Sequence, residues 1–292
     1  MKRLIAIAAT LAALTTACAE TGAQPLGPAP GVASESPTSP SGSPTTEPSP
    51  SSDPTRSTTY ELWFNYDGAL FVTHRTEPFT PGVGRRAIEL LLEGPTDAER
   101  DANVGTSINP GTRLLDLTID SGVATVDTDD TFAAEETLTS LAGGLAQVVY
   151  TLTQFDSVKG VVFEVEGMPL FEYFSSYEVD GLQRRADFVD QLPFILVEGP
   201  GIGERVSSPV TIAGTANVFE AVVSIEILDR NGDTIASTFT MATCGTGCRG
   251  SYTTDVRYEV ATRQPGAIRV YEVSAMDGSP IHIVEIPVML TP

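Results

Sequence analysis

With 38 acidic against 17 basic side chains in 292 residues, a net charge of −21, this chain has the wrong sign for nucleic acid or anionic lipid headgroups, which require basic patches. Acidity concentrates in residues 59–175, 19 acidic to 6 basic, and reads as solvated surface, with metal-ion or basic-partner binding as the alternative. Beyond the N-terminus no apolar run approaches the length of a membrane span.

The chain begins MKRLIAIAATLAALTTAC. Lys2 and Arg3 precede an apolar run from Leu4 to Leu14, about 11 residues where a spanning helix needs about 20. Small residues then lead to Cys18. The pattern predicts a signal peptide over residues 1–17 and cleavage before Cys18, whose thiol takes lipid such as palmitate. The body would then be extracytoplasmic and anchored to the cell membrane. Ala17 fits a lipoprotein processing site, whereas Thr15 stands where Leu is usual. The alternative is a conventional secreted protein with Cys18 unmodified. Residues 18–58 form a Ser/Pro/Thr-rich stretch with almost no large apolar side chain, too little to offset its ordering entropy. It reads as a disordered tether, extended and partly stiff, or as filler of no fixed length.

A first folded body is expected over residues 59–175. YELWFNY, Asp67-Gly68 and ALFVTHR form a hairpin by turn chemistry. A short helix over residues 84–93 stops at Gly94-Pro95. RLLDLTID alternates, with Leu115, Leu117 and Ile119 on one side, and Ser121-Gly122 turns it into VATVD. A longer helix from about Thr137 to Phe155 carries Leu138, Leu141, Leu145, Val148, Val149, Leu152 and Phe155 on one face. Gly143 and Gly144, costly in a helix interior, suggest close packing against the sheet. VKGVVFEVEG closes the body as a strand with Val161, Phe163 and Val165 inward. The fold class expected is an α+β sandwich, two helices on one mainly antiparallel sheet.

Within this body EGPT, INPGTRLLDLTIDSGVATVD and LAQVVYTLTQFDSVKGVVFEVEG resemble the GerMN domain of bacterial sporulation and germination proteins, from about Tyr60 to Phe174. The resemblance implies a non-catalytic exocytoplasmic domain, related to small αββ folds that build rings and scaffolds in spore envelopes.

Residues 176–192 form a polar connector. Residues 193–292 read as all-β, about seven short strands separated by turns such as Asn231-Gly232 and Asp277-Gly278, an immunoglobulin-like sandwich without the antibody tryptophan. Pro287 suggests an edge strand. With Cys18 lipidated, Cys244 and Cys248 remain in a C-G-T-G-C loop; in an oxidising compartment a local disulfide is expected, stiffening a hairpin end. GERVSSPVTIAGTANVFEAVVSIEILDRNGD, ATCGTGCRG and YEVSAMDGSPIHIVEIPV resemble the immunoglobulin-like domain of bacterial spore germination proteins. Neither resemblance brings a catalytic residue.

The residues themselves offer little chemistry. There is no G-x-S-x-G and no H-E-x-x-H, and His74 and His282 read as surface or boundary residues. Gly82 to Ala87 mimics a dinucleotide fingerprint, but no strand precedes it. Asp127, Asp129 and Asp130, followed by Glu135 and Glu136, and the stretch Asp229 to Asp233, could suit calcium but read as turns and a helix N-terminus. Glu164 and Glu166 share the outward face of a strand. No catalytic, cofactor or metal site is assigned. The expectation is a non-catalytic, lipid-anchored cell-envelope protein that binds or scaffolds an envelope protein partner through exposed sheet edges. The resemblances link it to sporulation, germination or envelope assembly, and the residues leave the process served open. The alternative is binding of peptidoglycan or another cell-wall glycan on Tyr252, Tyr258 or Tyr271; a third reading is a hydrolase.

Overall fold

The computed structural model describes residues 56–134, 138–173 and 181–292. The leader, Cys18 and nearly all of the expected tether lie outside the described residues, as do Glu135, Glu136 and the first part of the connector. The tether ends earlier than expected: Ser57 and Thr58 already pair with Pro78 and Glu77.

In chain order the first body comprises β1 (Ser57–Tyr66), β2 (Ala69–Pro78), α1 (Val83–Leu92), α2 (Asp97–Asp101) and β3 (Val104–Gly105). It continues with β4 (Leu114–Asp120), β5 (Val123–Thr128), α3 (Leu138–Leu152), β6 (Gly160–Val165), β7 (Met168–Pro169) and α4 (Leu170–Tyr173). Asp67 and Gly68 both take positive φ, 49° and 79°, the backbone of a tight primed hairpin turn. Ser121 and Gly122 do the same between β4 and β5, at 51° and 88°.

The seven strands do not form the single sheet expected. They make two, ordered β2-β1-β3 and β4-β5-β6-β7, with β5 and β6 parallel across the α3 crossover. Helices α1 and α3 pack on each other, and each contacts strands of both sheets. The division has a local cause. Beside Glu61 and Trp63, where another strand would extend the first sheet, α3 supplies Gln147 and Thr151 from one face, and the turn that follows it supplies Gln154. The Gln154 amide donates to Glu61 O (2.8 Å) and accepts from Glu61 N (2.9 Å). Trp63 N donates to Thr151 Oγ1 (3.1 Å), and Gln147 Nε2 donates to Trp63 O (2.9 Å). The helix therefore satisfies backbone groups that a strand would otherwise pair. Gln147 and Thr151 are as buried as Leu145 and Leu152. A Cβ at Gly143 would lie 2.5 Å from Ser107 Oγ, so the close approach is to the segment after β3 rather than to a sheet face.

Two alternation readings shift. Leu114 pairs with Thr128 and Asp116 with Asp127, so Leu115 bulges out and is 41% exposed, while Leu117 stays beside Gly84 of α1. Glu166 lies in the turn after β6 at φ 52°, so it does not share a strand face with Glu164.

The second body contains β8 (Ile195–Gly199), β9 (Arg205–Ser207), β10 (Val210–Ala216), β11 (Val222–Leu228), β12 (Thr234–Met241), β13 (Gly250–Val256), β14 (Gln264–Val273) and β15 (Pro280–Thr291). These eight strands make two facing sheets, β13-β10-β8 and β12-β11-β14-β15-β9. Val223, Ile225, Ile227, Ile268 and Val270 fill the space between them with no exposed surface. Pro287 is not on an edge strand, since β15 lies between β14 and β9. It is tolerated because the β9 ladder begins only at Met289, and Pro287 O accepts from Gly203 N (2.8 Å). No helix among the described residues is long and apolar enough to cross a membrane.

Candidate interaction surfaces

Strand β2 of the first body faces β8 and the glycine-rich segment after it, and between them lies a cleft of about 840 Å³. One wall presents Thr59, His74 and Thr76; the other presents Glu198, Gly201, Glu204, Arg205 and Thr211. The second wall is shaped by its own hydrogen bonds: Gly201 N donates to Glu204 Oε2 (2.8 Å) and Met289 N to Glu204 O (2.8 Å). A smaller cavity of about 210 Å³ adjoins it, lined by Glu61, Trp63, Val72, His74, Arg185 and Glu198. Arg185 lies over the rings of Trp63 and Tyr150, 5.4 and 4.7 Å from their centroids. It also donates to Thr153 Oγ1 (2.7 Å) and Tyr150 O (3.0 Å). Burial, then the nearby Glu61 carboxylate, pushes the Glu198 carboxyl above its ordinary value, opposed by Arg185, His74 and Arg249.

The cleft is therefore mixed: carboxylates and hydroxyls share it with apolar Pro200, Ile202, Val206, Pro209 and Val210. Three of its hydroxyls are engaged away from His74: Thr59 Oγ1 pairs with Thr76 Oγ1 (2.8 Å), and Thr211 Oγ1 donates to Asp255 Oδ1 (2.6 Å). Among the described residues no group of three His, Cys, Asp or Glu side chains is placed to hold a metal ion. Such a groove can hold a ligand through hydrogen bonds and charge.

The other sequence candidates disperse. Cys244 and Cys248 form a disulfide with Cα atoms 5.7 Å apart. Their loop is also held by Thr246 N to Val218 O and Gly247 N to Asn217 Oδ1, both 2.9 Å. Closing so short a loop contributes about 2 kcal/mol on the chain-entropy model. The Cys244→Ser, Cys248→Ser double variant should therefore keep its fold and lose no more than that in urea unfolding. Asp127 accepts from Gly167 N (3.0 Å), and Asp129 is buried, clamping Arg113 through its backbone N (3.1 Å) and Nε (2.9 Å). Asp229 Oδ1 is occupied by Asn231 N (2.8 Å) and Asp233 N (3.0 Å), a self-capped hairpin turn. His282 stacks on Phe194 with centroids 4.0 Å apart and lies 3.7 Å from Glu272.

Tyr252 and Tyr258 are core residues whose hydroxyls donate to Leu196 O (3.1 Å) and Val206 O (2.8 Å). Of the three tyrosines considered for sugar stacking, only half-buried Tyr271 stands on an outward face, its hydroxyl donating to Glu226 (3.2 Å). That face, on the five-stranded sheet, also carries Phe239 (68% exposed), Met241 (63%), Val273 and Ile283.

Sequence reasoning did not single out Arg185, Glu198 or Arg249. Arg249 donates to Thr215 Oγ1 (3.2 Å) and to Pro193 O, tying the first residue of the second body to β10, and burial lowers its guanidinium pKa. Each is an ordinary charged residue in sequence; only enclosure by distant segments distinguishes it.

The family comparisons divide the chain at the same connector. Residues 63–171 match the family model described as sporulation and spore germination. Residues 194–279 match the immunoglobulin-like domain of bacterial spore germination. The chain therefore carries one domain of each kind. Comparison with curated proteins returned no match. Similar solved structures include the tandem GerMN domains of the sporulation protein GerM from Bacillus subtilis: 14% identity, 81% of this chain and 61% of that one, TM-score 0.36. The first GerMN domain of that protein matches at 18% identity over 46% of this chain and 96% of its own, TM-score 0.32. CopC from Methylosinus trichosporium OB3b matches at 18% identity over 34% and 94%, TM-score 0.23.

Proposed function

We infer, from two domains of sporulation and spore-germination families in one chain, a non-catalytic envelope protein that works by binding or scaffolding. Lipid on Cys18 holds it on the outer side of the cell membrane, and a second envelope protein is its partner. The observation that carries this reading is the cleft: one wall comes from each family domain, so the groove exists only when both are present. Its lining favours an extended polar segment carrying positive charge, since Glu198, Glu204 and Glu61 face it or its neighbouring cavity.

Crosslinking in native membranes followed by purification is the test. One envelope protein should be recovered with the wild type and lost with a Glu198→Lys, Glu204→Lys variant of unchanged circular dichroism; recovery equal in both rejects the cleft as the binding site. Mass spectrometry of the mature N-terminus checks the anchor. A diacylated or triacylated Cys18 is expected, and an unmodified start beyond it rejects lipidation.

A further inference from the structure

We propose that strand β12 is the self-pairing edge of this protein, joining two copies into one continuous sheet across the second body. This deepens the scaffolding reading and rests on it. Sheet edges in natural proteins are kept from pairing by charge, proline, bulges or shortness. The other end strands among the described residues follow that rule. β2 carries His74, Arg75 and Glu77 and finishes at Pro78, and β4 carries Asp116, Asp120 and the Leu115 bulge. β3, β7 and β9 have two, two and three residues; β8 carries Glu198 and β13 carries Asp255. β12 is the exception. Its eight residues, TIASTFTM, include no charge, no proline and no glycine, and its one irregularity lies at its start, opposite Ile227 and Leu228. From Ala236 onward it is regular. β13 lies beside its C-terminal end, where Thr240 donates to Thr253 O (3.5 Å) and, just past the strand, Thr243 N donates to Ser251 O (2.9 Å), before β13 runs in the other sheet; no ladder closes the stretch from Ala236 to Phe239.

Charge selects the occupant. A partner attracted by a chain of net charge −21 would be basic, and the strand receiving it should offer carboxylates. β12 offers none. The nearest on the outward face, Glu226, is already engaged by Arg269 (3.2 Å) and Tyr271 (3.2 Å). Two copies of an acidic chain repel over most of their surface, and a neutral strand is where they can meet without opposing like charges. A two-fold axis perpendicular to the sheet pairs β12 with β12 antiparallel and keeps both outward faces on the same side. Phe239 and Met241 from each copy then form one apolar patch across the seam, shielding side chains that are 68% and 63% exposed in the single chain.

Sedimentation velocity on the full chain in mild non-ionic detergent tests this. A concentration-dependent dimer is expected, tightening as salt rises because screening weakens the repulsion between copies. Phe239→Lys with Met241→Lys should raise the dimer Kd at least tenfold with unchanged circular dichroism. Should that pair fail to fold, Ser237→Lys, exposed on the same strand, is expected to raise it at least threefold. A chain monomeric at every concentration overturns the proposal, as does a dimer indifferent to these substitutions or one that weakens with salt. None of those results bears on recovery of an envelope partner through the cleft, so the two readings fail separately.

Discussion

Replacing Glu99 with alanine is expected to destabilise the first body by about 3–5 kcal/mol, because it strips a buried ion pair of one partner. Glu99 is 6% exposed, and its Oε2 accepts from Arg75 Nη2 (2.7 Å) and from Thr96 N (2.6 Å). Thr96 returns the contact by accepting from Glu99 N (3.2 Å), a reciprocal cap on α2. Arg75 also donates to Leu90 O (3.3 Å) and Gly94 O (2.9 Å), so one guanidinium ties β2 to the end of α1 and to α2. Alanine leaves that guanidinium largely enclosed with its charge unanswered. Urea unfolding measures the loss; a change under about 1 kcal/mol would place the pair among ordinary surface bridges.

The same carboxylate makes stability depend on acid. Burial alone would raise the Glu99 pKa, but the Thr96 amide and Arg75 outweigh it and hold the carboxyl below its ordinary value. A group depressed in the folded state contributes stability that is present above its unfolded pKa, near 4.3, and lost as pH falls through the lower folded value. Glu77, held down first by its hydrogen bond from Arg86, adds in the same direction. Stability should therefore fall steeply below about pH 4.3, and Glu99→Gln should flatten that slope.

The second large effect is expected at Gln147, which has no exposed surface. Its amide donates to Trp63 O (2.9 Å) and accepts from Ser107 N (2.7 Å), joining α3 to β1 and to the segment after β3. Gln147→Leu keeps the volume but leaves the buried Trp63 carbonyl and the part-buried Ser107 amide unpaired, each costing about 1–3 kcal/mol when kept from water. A total of about 2–5 kcal/mol should appear in thermal or urea unfolding. Hydrogen exchange at Ser107, whose amide loses its acceptor, should rise selectively if the helix acts as a substitute strand. Uniform loss of protection throughout the body would point instead to repacking of the core.

These residues also show where sequence legibility stopped. The hairpins at Asp67-Gly68 and Ser121-Gly122 were readable because a tight turn needs two consecutive positive φ angles, and few residue pairs supply them. The end of helix α1 was readable from its Gly94-Pro95 stop. The Val161, Phe163 and Val165 alternation was readable because β6 has a consistently buried face. Leu115 was misplaced because a bulge depends on its partner strand, and alternation carries no trace of it. The buried role of Gln147 and Thr151 is not legible in the apolar spacing of α3, since glutamine and threonine on a helix ordinarily face solvent. Tyr252 and Tyr258 were candidates for a sugar platform because buried and exposed tyrosines cannot be told apart without knowing which backbone carbonyls their hydroxyls reach.

The amino-acid order alone determined two bodies divided by a polar connector, their classes, the close Cys244 and Cys248 pair, and the strong negative charge. All of these are local or compositional: turn chemistry, periodicity, spacing and counts. Tertiary structure decided the division of the first body into two sheets, the cleft built from one wall of each body, and the exposure of an uncharged β12 at a sheet edge. The physical reason is range. A side chain that satisfies the backbone of a strand more than 80 residues away, as Gln147 does for Trp63, and an edge strand that no second ladder closes, are properties of what surrounds a residue in space.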